Sequence, residues 1–144
     1  MPLQVLLIED SPGDARLTRE AFLGTNSSVQ LHLAVDGVEA LAFLNKGKTN
    51  PAPCPDLILL DLNLPKMDGR EVLANIKQDL SLRTIPTVIL TTSEAEADIN
   101  RSYELQANAY VSKPGQLDAF ESLVRSIGDF WLTKAKLPQR RQGG

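Results

Sequence analysis

Acid, hydroxyl and amine groups stand at the ends of short apolar runs in this chain. "VLLI" runs into Glu9 and Asp10, "LILL" into Asp61 and then Asn63, "VIL" into Thr91 and Thr92, and "AYVS" into Lys113 and Pro114. Singly, each has an ordinary explanation: Asp10 as a helix cap, Asp61 as the first residue of a turn, Lys113 as a surface lysine. Together they suit one chemistry. Two carboxylates ~4 Å apart repel by about 4 kcal/mol at an effective dielectric of 20, so three gathered at one place call for a cation, protons or separation. Hard oxygen donors favour Mg²⁺, which keeps some of its waters and binds beside phosphoryl groups. In such a site Asp61 is a metal ligand and also a nucleophile, able to carry a phosphoryl group as an aspartyl phosphate. The Lys113 ammonium and the Thr91 hydroxyl would then meet the phosphoryl oxygens.

Such a cluster needs elements that bring distant residues to one edge. Strands are predicted at Leu3–Ile8, Val29–Ala34, Leu57–Leu60, Thr87–Thr91 and Ala109–Val111. Between them, apolar residues recur at helical spacing: Ala15, Phe22 and Leu23, then Val38, Leu41 and Leu44, then Val72, Leu73 and Ile76. A fourth helix is expected over about Glu94–Leu105 and a fifth over about Leu117–Ala135. Ser11-Pro12, Asp36-Gly37, Asp68-Gly69 and Ser93-Glu94 sit where N-caps or first turns belong. Alternating strands and helices imply a doubly wound α/β fold, its five-stranded parallel sheet covered on both faces and its crossovers right-handed. In such sheets ligands collect beyond the carboxyl ends of the strands, where strand order reverses. "LILL" is then a rigid post that presents Asp61.

Bulk properties narrow the classes. With 144 residues the chain is expected to form one domain. A net charge of −3 provides no electrostatic case for direct nucleic-acid binding or for an anionic membrane. No apolar run approaches ~18 residues, and the N-terminus turns acidic too early for a signal peptide. The single cysteine, Cys54, cannot form an internal disulfide, which fits a reducing, cytoplasmic setting. His32 in "VQLHLAV" reads as a strand side chain rather than a ligand.

The ordered set "VLLIED", "LILLDLNLPKMDG", "VILTTSEAE" and "AYVSKP" resembles the receiver domain of two-component response regulators, over about residues 3–130. The resemblance implies a flavodoxin-like sheet of order 2-1-3-4-5. It implies Asp61 as phosphoacceptor, Glu9 and Asp10 as the acidic pair of a Mg²⁺ site, and Asn63 contributing its backbone carbonyl. It further implies Thr91 as the switch hydroxyl, Lys113 as the phosphate-contacting lysine, Tyr110 as an aromatic whose rotamer follows phosphorylation, and a cis Lys113–Pro114 peptide. Glu9 stands where many receivers carry aspartate, so its metal contact is expected through water. Thr92 replaces a residue that is often small, which is expected to lengthen the life of the acyl phosphate. "LDLNLPKMDGREVLANIKQD" and the ending "IGDFWLTKAKLP" are most similar to the small regulators of cyanobacterial phytochromes, implying a light-sensing histidine kinase as partner.

Residues 1–137 are assigned to a stand-alone receiver with an extended C-terminal helix, and 138–144 to a disordered tail. Leu117, Phe120, Val124, Ile127 and Trp131 form one apolar stripe. Phe130, Trp131 and Leu132 are expected to lie near or past the end of the sheet, with the two aromatics, Phe130 and Trp131, exposed on a monomer and extending a homodimer face made by the fourth helix, fifth strand and fifth helix. Three other readings share the fold. A flavodoxin-like nucleotide binder needs a Gly/Ser/Thr-rich first loop, where this chain has "EDSPGD". An aspartyl-phosphate hydrolase commonly has an acid two residues after its nucleophile, where this chain has Asn63, so a switch with at most slow self-dephosphorylation is preferred to an enzyme. An unphosphorylated interaction module has no use for Asp61, Thr91 and Lys113 together.

Overall fold

The five apolar runs become the five strands of one parallel sheet: β1 (Leu3–Ile8), β2 (Val29–Ala34), β3 (Leu57–Leu60), β4 (Thr87–Thr91) and β5 (Ala109–Ser112). A computed structural model of the chain describes residues 3–24, 28–49 and 54–138. Between the strands run α1 (Pro12–Leu23), α2 (Gly37–Thr49), α3 (Gly69–Gln78) and α4 (Glu96–Glu104), and α5 (Leu117–Asp129) follows β5. Strand order is 2-1-3-4-5, as expected. The chain moves outward from β1 to β2 and then returns to β3 on the other side of β1. The carboxyl ends of β1 and β3 therefore flank the switch point. Ile8 pairs with Leu60, and Leu60 with Ile89, so Glu9 and Asp61 emerge side by side.

Alternation along the strands sorts two cores. Val5, Leu7, Leu57, Leu59, Val88 and Leu90 pack with Phe22 of α1 and with Phe120, Val124 and Ile127 of α5. Leu6, Ile8, Ile58, Leu60 and Ile89 pack with Leu44 of α2 and with Val72, Leu73 and Ile76 of α3. Central strands with no wet face require uninterrupted apolar runs, which is what "VLLI" and "LILL" supply. Burying each leucine contributes about 1.5–3 kcal/mol, so β3 is stable enough to hold a carboxylate among other acids.

Helix starts explain the loops around Asp61. Ser11 caps α1 by accepting from the Asp14 N–H at 3.3 Å, and Asp68 caps α3 by accepting from the Arg70 N–H at 3.0 Å. Gly69 has a second role. A Cβ there would lie 2.4 Å from the Asp61 carbonyl oxygen and 2.5 Å from Leu62 Cα, so only glycine lets α3 start against the loop that follows β3. Helix α4 starts later than expected, at Glu96. Ser93 Oγ donates to Asp98 at 2.6 Å and accepts from the Ala95 N–H at 3.3 Å, holding a turn ahead of the helix.

The C-terminal helix departs most from expectation. It is α-helical only to Asp129 and continues as a π-helical segment, Phe130–Lys134, in which the Ala135 N–H donates to the Phe130 carbonyl at 2.7 Å. Bonds to the fifth residue widen the turn and rotate the side chains that follow. Leu132 is thereby buried, and Trp131, which was expected to be exposed, leans against the α1/α5 core. Phe130 remains 52% exposed, with the Trp131 ring edge-on to it at 5.3 Å. At the other end Leu117 is 67% exposed, so the stripe touches the core only from Phe120 onward. The expected tail, apart from Pro138, lies outside the described residues.

Candidate functional site

Lys113 sits at the centre of the rim. Its N–H donates to the Thr91 carbonyl at 2.7 Å, continuing the β4–β5 ladder past the end of β5. Its Nζ donates to Glu9 Oε1 at 2.5 Å, to Asp14 Oδ2 at 2.9 Å and to Asp61 Oδ2 at 3.0 Å. The other Asp61 oxygen accepts from the Asn63 N–H at 3.1 Å, and the other Glu9 oxygen from the Ser11 N–H at 3.1 Å. Oxygens of Glu9, Asp10 and Asp61 all lie within 4.8 Å of one another. Glu9 and Asp61 are buried while Asp10 and Asn63 are exposed, so the cluster opens to solvent on one side. An all-oxygen donor set of this kind suits a hard divalent cation that keeps several waters.

Electrostatics follow from the crowding. Burial raises the Glu9 carboxyl to about 7, and the Asp61 charge adds to the rise, against the hydrogen bond and charge of Lys113. Burial by itself would depress the Lys113 ammonium. Hydrogen bonds to Glu9 and Asp14, with the charges of Glu9 and Asp61, outweigh it and hold the lysine above its usual range. Lys113 is a permanent cation.

Thr91 ends β4, wholly buried, one strand over from Asp61. Among the described residues its hydroxyl is the one buried side-chain polar atom with no hydrogen-bond partner. Leaving such a group unpaired costs about 1–3 kcal/mol, which an incoming oxygen acceptor would recover. The loop beyond it is tied down. Tyr110, half-buried on β5, donates its hydroxyl to the Ser93 carbonyl at 2.9 Å, and Ser93 donates to Asp98, which Arg70 of α3 pairs through Nη2 at 2.5 Å.

The structure thus brings Glu9, Asp10, Asp61, Asn63, Thr91 and Lys113 to one edge, with Tyr110 connected through Ser93 rather than touching them. Two points differ from expectation. All peptide bonds among the described residues are trans, Lys113–Pro114 included. The intrinsic difference for an X–Pro bond is only about 0.5–1 kcal/mol, so local contacts decide it. Asp14 was not anticipated as a site residue. Its signal was present: Ser11-Pro12 starts a helix at the rim, and a first-turn acid three residues after the cap lies close to the same edge. His32, as expected, is a strand residue; it meets Gln4 Oε1 at 2.6 Å and stacks obliquely on Phe43.

The sequence model of the response regulator receiver domain matches residues 5–125. The chain belongs to that family. Response regulator Rcp1 of Synechocystis sp. is 47% identical over 138 residues, which are 95% of this chain and 94% of that protein. The Mn²⁺-bound structure of Rcp1 matches with a TM-score of 0.91 at 47% identity, covering 96% of this chain and all of that one. The phosphorylated cyanobacterial phytochrome response regulator RcpA matches with a TM-score of 0.92 at 45% identity, over 96% and 100% of the two chains. This receiver is therefore a two-component signalling regulator related to the phytochrome response regulators, with an acidic cluster of the type that holds a divalent metal. No helix among the described residues is long and apolar enough to cross a membrane.

Proposed function

We propose that Asp61 is the phosphoacceptor of this receiver and that phosphoryl transfer from a sensor histidine kinase depends on Mg²⁺. The observation that carries the reading is the meeting of Lys113 with Asp61 at 3.0 Å inside a cluster whose three acids share a 4.8 Å neighbourhood. Glu9, Asp10 and Asp61 would hold the ion, with the carbonyl of Asn63. When bound, it neutralises charge on the phosphoryl oxygens. An Asp61 oxygen attacks the phosphorus of the kinase phosphohistidine. The P–O bond forms, the P–N bond breaks, and its electron pair returns to the imidazole, which carries a proton on its other nitrogen and so leaves neutral. Lys113 supplies positive charge to the transferred group, and the Thr91 hydroxyl donates to one of its oxygens. Slow hydrolysis of the acyl phosphate is supported by Asn63, an amide at the position two residues after Asp61 where aspartyl-phosphate hydrolases commonly have an acid.

Incubation with Mg²⁺ and acetyl phosphate should add one phosphoryl group to the wild type and none to Asp61→Asn, read by intact mass. Equal labelling of both proteins rejects Asp61. Thr92→Ala should shorten the life of the phosphorylated form, since Thr92 is exposed beside Thr91. Unchanged decay removes that role.

Kinship with RcpA supports a phytochrome kinase as the phosphoryl donor, in the cytoplasm, with residues 1–137 acting as the receiver unit. The exposed Phe130, with Trp131 beside it, supports a homodimer built on α4, β5 and α5. Tyr110, through Ser93, would carry the state of Thr91 to that face. Because Trp131 also packs into the core, Phe130→Ala is the cleaner test. A later elution volume than wild type at equal concentration is the expected result.

A further inference from the structure

We infer that Asp14 is a positioning residue for phosphoryl transfer, the partner that Lys113 gives up when Asp61 is phosphorylated. The inference rests on the phosphoacceptor reading above and deepens it. An ammonium group has three N–H donors. All three are in use, on Glu9 at 2.5 Å, Asp14 at 2.9 Å and Asp61 at 3.0 Å. A phosphoryl group on Asp61 brings new anionic oxygens, and Lys113 can bond one of them only by releasing a present acceptor.

The three acceptors are unequal. The Glu9 side chain is 3% exposed and its second oxygen is held by the Ser11 N–H, so bulk water cannot take the lysine's place there. Asp61 is the acceptor itself. Asp14 has 32% of its side chain exposed, and water can solvate it once the lysine leaves. Exchange at Asp14 is therefore the least costly of the three. Before phosphorylation Asp14 keeps the ammonium saturated and oriented. During transfer it competes with the incoming phosphoryl oxygens for the same protons, and its charge opposes theirs.

The rival explanation is purely local. Asp14 lies in the first turn of α1, where an acid favours the helix N-terminus whatever the lysine does. Asp14→Asn and Asp14→Glu separate the two. Asparagine keeps the size and loses the charge; glutamate keeps the charge at the helix start.

With Mg²⁺ and acetyl phosphate, Asp14→Asn should be phosphorylated on Asp61 roughly three- to tenfold faster than wild type, the scale of one partly exposed charge-assisted hydrogen bond. Asp14→Glu should stay close to wild type. An independent readout needs no phosphorylation. In ¹⁵N-lysine-labelled protein the Lys113 ammonium protons should exchange slowly with water in the wild type and faster in Asp14→Asn. Asp14→Asn that labels on Asp61 at an unchanged or lower rate overturns the inference and leaves the phosphoacceptor reading intact. Unchanged proton exchange at Lys113 overturns it as well. Failure of every form to label overturns the phosphoacceptor reading, and this inference with it.

Discussion

Two lysines of this molecule are each surrounded by three oxygens, at opposite ends of the same sheet, and although burial depresses both they reach opposite outcomes. Lys113, beyond the carboxyl ends of the strands, donates to three carboxylates and is held above the ordinary lysine range. Lys77, where the chain enters β4 and β5, donates to the carbonyls of Arg83 and Ile85 and to Asn108 Oδ1, at 3.0, 2.9 and 3.0 Å. Burial lowers it to about 8. The donors are alike and the distances similar; the charge of the acceptors differs. Neutral oxygens satisfy the hydrogen bonds without compensating a desolvated charge, whereas carboxylates do both. One end of the sheet uses a lysine to tie loops, the other to balance an acidic site.

Lys113→Met is the most severe way to break this comparison. It leaves Glu9 and Asp61 without their cation and should cost about 3–5 kcal/mol in metal-free protein, measured by urea unfolding. Phosphorylation by acetyl phosphate should also slow sharply. Lys77→Met should cost less, about 0.5–1.5 kcal/mol, because Asn108 Oδ1 keeps the Thr87 N–H and the Ile85 carbonyl keeps the Thr87 hydroxyl, and it should leave the phosphorylation rate unchanged. Equal losses in the two variants would erase the proposed division of labour.

Proton linkage sharpens it further. Glu9 is raised from 4.5 to about 7, so the folded protein holds a proton that the unfolded chain has lost between those values. Its contribution to metal-free stability therefore falls as pH rises through that window. A divalent cation competes with that proton. Mg²⁺ should raise the thermal midpoint more at pH 8 than at pH 6, and an equal rise at both would argue against Glu9 in the metal site. Lys77 has the opposite sign. Between about 8 and 10.5 the unfolded chain keeps a proton that the folded protein has released, so stability should rise with pH across that window. The rise should vanish in Lys77→Met.

Most of the site was legible before the fold, because it follows from repetition. Each apolar run ends in a residue with chemistry, and in a parallel sheet all such ends share an edge, so Glu9, Asp10, Asp61, Thr91 and Lys113 could be gathered without coordinates. Order within the sheet came from family resemblance, since periodicity cannot rank the strands. Asp14 was overlooked because its importance depends on a lysine 99 residues away. Lys77 belongs to no motif that marks it in the sequence, yet α3 carries it to the loops before β4 and β5. Trp131 was expected in water because it lies near or past the end of the sheet, yet beyond the α-helical part of α5 it still leans on the core of α1 and α5.

The amino-acid sequence alone determined which side chains alternate across strands, where helices start, and that acids and an amine reach a common rim. Those are local properties, governed by spacing along the chain and by the conformational preferences of serine, proline, aspartate and glycine. Only the tertiary structure decided which oxygens surround each lysine, that the Thr91 hydroxyl is buried unpartnered, and which aromatic remains in water. These depend on groups tens to a hundred residues apart, whose desolvation and charge act through space.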